Sequence, residues 1–177
     1  MGFSGLYCSA TRFDGNDHDE TTGAQVSDGG IALVLTALAV AAMVGWMSAR
    51  VAGLPANTPE RLVGELRLAQ LAALVLCLVS GASAGLAVAQ LSVPGAGITL
   101  ALAAGFLLVA SNAILRDPHD ALTMLAVAFL AHAIVDILHR PGWLPELIVP
   151  GWYARDCATL NVVLAALCYV PVFRRRP

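Results

Sequence analysis

The chain has 177 residues, 58% hydrophobic and only 12% charged, with a formal charge of −2 and a mean hydropathy of +0.76, whereas soluble domains carry about 25% charged residues. That balance excludes an ordinary soluble domain. With charge so near neutrality and no basic stripe flanked by aromatics, it also excludes a nucleic-acid binder. Every cationic side chain is an arginine, so Schiff-base chemistry and the usual lysine-bearing phosphate loop are excluded as well.

Residues 1–30 hold glycine, serine, threonine and an acidic patch at Asp14, Asp17, Asp19 and Glu20. No basic stretch precedes an apolar one, so they read as a flexible acidic tail rather than a cleaved signal peptide. Five apolar runs follow: Ile31 to Ser48, Leu68 to Leu91, Ala96 to Leu115, Ala121 to Leu138, and Cys157 to Phe173. A helix crosses the hydrocarbon core in roughly 20 residues, and the runs lack the ten-residue alternation of a membrane β-barrel. The expected fold is all-α, a polytopic bundle of five transmembrane helices spanning 31–177, with the lipid bilayer as its surroundings.

The connections carry their own signals. Asn57-Thr58-Pro59-Glu60 reads as a helix start, with Asn57 as the cap and Glu60 three residues later. Within the second run, Gly81 and Gly85 with Ser80 and Ser83 form a small-residue face, expected to pack inside the bundle. Asp117 and Asp120 are expected to cap the fourth helix. The segment from Arg140 to Asp156 holds three prolines with Trp143, Trp152 and Tyr153, and reads as an interfacial lid over the last two helices.

Arginine placement orients the bundle. Arg12, Arg140 and Arg155 fall on one side, and Arg50, Arg61, Arg67, Arg116, Arg174, Arg175 and Arg176 on the other. Cytoplasmic loops retain positive charge, so the N-terminus is expected outside and the C-terminus in the cytoplasm, in the cell's inner (plasma) membrane.

The fourth run contains the polar triplet His132, Asp136 and His139. Spacings of four and three put the three on one helix face, continued downward by Ala128, Leu125 and Ala121. Ionisable groups at membrane depth are costly and mark function by default. On the fifth run Cys157, Asn161, Leu164 and Cys168 share a face. If that face meets the fourth helix, two imidazoles, a carboxylate, an amide and a thiol converge in an outward-facing pocket. Such a donor set suits a transition metal. His132, Asp136 and His139 are its expected ligands, with Cys157 and Asn161 as further contacts. His132 and His139 stand ~10 Å apart along the axis, so one ion takes Asp136 with one of the two histidines. A haem held by His132 and another chain's histidine is a lesser expectation. Against these stands an ion pair of Asp136 with Arg140, four residues on. The cysteines form no CxxC pair. The alternative function is a non-catalytic accessory or assembly subunit of a larger membrane complex, bound to other membrane subunits.

Overall fold

A computed structural model describes residues 28–89, 95–139 and 151–174. Its described residues form five helices: α1 Asp28–Ala52, α2 Pro59–Ala89, α3 Ala96–Ala113, α4 Pro118–Leu138 and α5 Gly151–Phe173. Each is long and apolar enough to cross a membrane. This is an all-helical, multi-pass membrane protein, and its five helices match the five apolar runs in order.

Contacts between elements define two rows. The first is α1, α2, α3, and the second is α5, α4 seated in the grooves of the first. Among the described residues α2 touches all four other helices, whereas α1 meets neither α3 nor α4, and α3 does not meet α5. Depth follows from this. In its most apolar window α4 is 44% buried and α1 only 11%, so α4 is an inner helix and α1 a lipid-facing one. The core is built from Leu68, Leu76, Leu122, Leu125, Phe129 and Leu164, all at 0% exposure, interleaved with alanines. Lipid is as apolar as leucine, so van der Waals contact between such surfaces holds the helices together, rather than escape from water.

Several connections differ from the sequence reading. Asn57 does not cap α2. It takes a left-handed turn at φ 65°, a conformation asparagine tolerates, and Thr58 caps instead, its hydroxyl oxygen accepting the Arg61 amide at 3.3 Å. Asp117 stands at the N-cap of α4 but its side chain makes no capping bond. Its carbonyl accepts the Ala121 amide at 2.9 Å. Gly81 and Gly85 are exposed, and a Cβ at either would meet nothing within 4 Å, so of the expected small-residue face Ser80 packs inside at 0% exposure and the two glycines do not. The close approach is at Gly64, where a Cβ would lie 2.9 Å from Val51 Cγ2. The lid segment is shorter than expected, because Gly151 to Asp156 are the first turns of α5. The last tail residues, 28–30, already belong to α1; the remaining lid residues, 140–150, lie outside the described residues, as do residues 1–27 of the tail and the partner expected for Asp136, Arg140.

At the arginine-rich end, Arg61 is buried and stitches three helices together. Its Nε donates to Glu65 Oε1 at 3.0 Å, Nη1 to Leu54 O just past α1 at 3.0 Å, and Nη2 to Pro171 O in α5 at 2.9 Å. Terminal carbonyls lack intrahelical donors, and a guanidinium fork satisfies two at once. Pro171 also removes the N–H that would bond Leu167 O, and the Ser48 hydroxyl of α1 donates to that carbonyl at 2.6 Å.

Candidate functional site

The opposite end of the bundle holds the polar cluster. The stripe predicted on α4 faces the interior: Ala121, Leu125 and Ala128 are at most 5% exposed and His132 is 3% exposed. Helix α5 turns its Asn161 toward it, at 0% exposure. The three polar groups meet in a triangle. Asn161 Nδ2 donates to Asp136 Oδ2 at 3.0 Å, and His132 Nδ1 lies 3.3 Å from both Asp136 Oδ2 and Asn161 Nδ2.

Chemistry fixes the roles. A carboxylate has no proton to give, and a ring lone pair turned toward it would be repelled, so Nδ1 of His132 carries the hydrogen and donates to Asp136. Nε2 is then the ring's remaining acceptor. The amide orientation follows too, because turning Asn161 round would put its oxygen against the carboxylate. Its Oδ1 is left buried without a partner among the described residues. Such an orphan acceptor costs about 1–3 kcal/mol, within the range gained by a hydrogen bond to a charged group.

His139 belongs to a different set of bonds. Its Nδ1 lies 2.7 Å from Val135 O, a carbonyl that can only accept, so Nδ1 is the protonated nitrogen. In the neutral ring Nε2 then accepts from the Thr99 hydroxyl of α3 at 3.1 Å. Both nitrogens are engaged. The Phe106 ring of α3 lies against His132 with centroids 4.7 Å apart, and Tyr153, in the first turns of α5, is hydrogen-bonded to Cys157.

A cleft runs between α2, α3, α4 and α5, lined by Thr99, Phe106, His132, Asp136, His139 and Tyr153 among others, with Ser83, Leu86 and Leu102 completing its walls. It offers about 40 Å³ to the centre of a water-sized sphere, where one water needs roughly 10–15 Å³. The structure thus brings together His132, Asp136 and Asn161, places His139 on the same wall but bonded to α3, and keeps Cys157 beside Tyr153. Among the described residues no group of three or more His, Cys, Asp or Glu side chains is disposed to hold a metal ion. Sequence reasoning missed Thr99 and Phe106, and placed Tyr153 in a lid over the last two helices rather than in the first turns of α5 on the cleft wall. A signal for the first two existed: Thr99, Ala103, Phe106, Ala110 and Ala113 repeat at spacings of four and three along one face of α3.

No protein-family model, curated protein or solved structure matches the chain.

Proposed function

We propose that this is a plasma-membrane protein with its N-terminus outside, whose outward-facing cleft binds a small ligand through His132. One observation carries the reading: Asp136, itself held by the Asn161 amide, accepts from Nδ1 of a buried histidine on the cleft wall and leaves Nε2 as its acceptor. A carboxylate that orients an imidazole is how proteins prepare a histidine to accept a proton or a ligand. Treating intact cells with diethyl pyrocarbonate and mapping the adducts tests it. Ethoxycarbonyl is expected on His132 well before His139, whose nitrogens are both bonded. An inert His132 in the folded protein defeats the proposal.

The transition-metal reading keeps His132 and Asp136 as donors, favoured by the same carboxylate–imidazole contact, and loses His139 to Thr99 and Val135. Its test is metal content of the purified protein against His132→Ala and Asp136→Asn, stoichiometric metal lost in both variants being the supporting result. The subunit reading draws on the open Gly81–Gly85 face of α2, and predicts a fixed partner that co-purifies in constant ratio.

A further inference from the structure

Hydrogens on the wall of the cleft are nearly all committed to internal bonds. The Ser83 hydroxyl donates to Val79 O, and the Thr99 hydroxyl to His139 Nε2. His139 Nδ1 donates to Val135 O, and His132 Nδ1 to Asp136. The Tyr153 hydroxyl is bonded to Cys157. What these groups still present is acceptors: Nε2 of His132, the Asp136 carboxylate, and the lone pairs of Thr99 and Ser83. The formal charge among the described lining residues is that of Asp136, and no arginine is among those described lining residues.

We propose, resting on the ligand-binding reading above, that the cleft takes a primary ammonium group carried on an apolar chain. An ammonium brings three N–H donors and no acceptor, and the wall presents it with acceptors alone. It places a positive charge beside the Asp136 carboxylate, which is favourable at membrane depth. The Phe106 and Tyr153 rings suit a cation, and Leu86 and Leu102 line the same cleft and suit the chain. A carboxylate or phosphate headgroup meets acceptors and a like charge. An alcohol brings one donor and no charge. The small volume admits the headgroup and little more.

The test uses the full chain in phosphatidylcholine nanodiscs, titrated calorimetrically with n-hexylammonium, hexanol, hexanoate and ammonium chloride against empty discs. Hexylammonium is expected to bind at one per chain, at least tenfold tighter than hexanol, with hexanoate silent. Asp136→Asn and Thr99→Val should each weaken it at least tenfold and about threefold. Protection of wild-type His132 from diethyl pyrocarbonate by hexylammonium gives a readout independent of whether a variant folds. Ammonium chloride binding as tightly as hexylammonium confirms the headgroup and assigns it to the free ion rather than an amphiphile. Hexanol or hexanoate binding more tightly, with protection of His132, overturns the ammonium while leaving the cleft a binding site. If no probe binds or protects, the ammonium is overturned. If His132 is also inert to the reagent alone, the binding reading falls with it.

Discussion

Asn161 is the residue on which the polar cluster turns. Sequence spacing placed it on the face of α5 that meets α4, as a group touching ligand. It instead sits behind the cleft wall, fully buried, and acts through Asp136. Asn161→Ala should lower stability by about 1–3 kcal/mol, the cost of stripping a donor from a partly buried charged acceptor. Asn161→Asp should be worse, because it sets a second carboxylate at hydrogen-bonding distance from the first. Thermal unfolding in detergent checks the order, and equal melting points for the two variants would show that the amide does not support Asp136. The convergence of His132, Asp136 and Asn161 was legible because helical periodicity fixes which side chains share a face. The fate of His139 was not. Its bonds run to a backbone carbonyl one turn back and to a threonine 40 positions away, and no periodicity announces which of two neighbouring helices a terminal histidine will meet.

Among the elements, α2 is the hub, and three of its glycines predict opposite behaviour of chemically similar sites. Gly64 lets α1 approach α2, and a methyl there runs into Val51 at 2.9 Å. Gly64→Ala should therefore destabilise by about 1–3 kcal/mol, as overpacking does. Gly64→Ala with Val51→Ala should recover part of the loss. Gly81→Ala and Gly85→Ala meet open space and should be neutral or stabilising by about 0.5–1 kcal/mol, since alanine is the better helix former. Melting curves of the three variants decide this, and a destabilised Gly85→Ala would mean that something packs on that face. The sequence made Gly81 and Gly85 conspicuous through their spacing and left Gly64 unremarked, because close approach depends on which helix lies opposite. Arg61 shows the same limit. Its pairing with Glu65 follows from spacing, whereas its bonds to Leu54 O and Pro171 O come from two helix ends that only the tertiary fold brings together. Arg61→Ala should cost about 3–5 kcal/mol by removing the paired charge from the buried Glu65 carboxylate. Arg61→Lys should recover little, because one ammonium lacks the planar fork that reaches both carbonyls. Arg61→Met with Glu65→Leu should be milder than Arg61→Ala, and a double variant at least as unstable as Arg61→Ala would argue against a penalty from the stranded charge.

Across the whole molecule the two polar clusters lie at opposite ends with an apolar block between them. His132 stands 14 residues from the start of α4, a rise of ~20 Å, and Leu125, Leu122, Phe129, Leu76 and Leu164 fill that depth at 0% exposure. Among the described residues, a proton or cation that reaches His132 from the cleft meets no onward chain of ionisable side chains to the Arg61–Glu65 pair, and a bare charge in that packing would face the full penalty of hydrocarbon. A transport path needs a relay of ionisable groups through the membrane, and the described residues place theirs at the two ends. Liposomes carrying the purified protein should therefore show the same proton and potassium leak as empty ones, with a potassium gradient and valinomycin setting the voltage and an internal pH dye as readout. Replacing Leu125 with aspartate puts a carboxylate into the block on the same face of α4 as His132, and should either unfold the protein or raise the leak above that of wild type. A wild-type leak abolished by His132→Ala would mean that the apolar block opens, and that the cleft is one end of a path rather than a closed site.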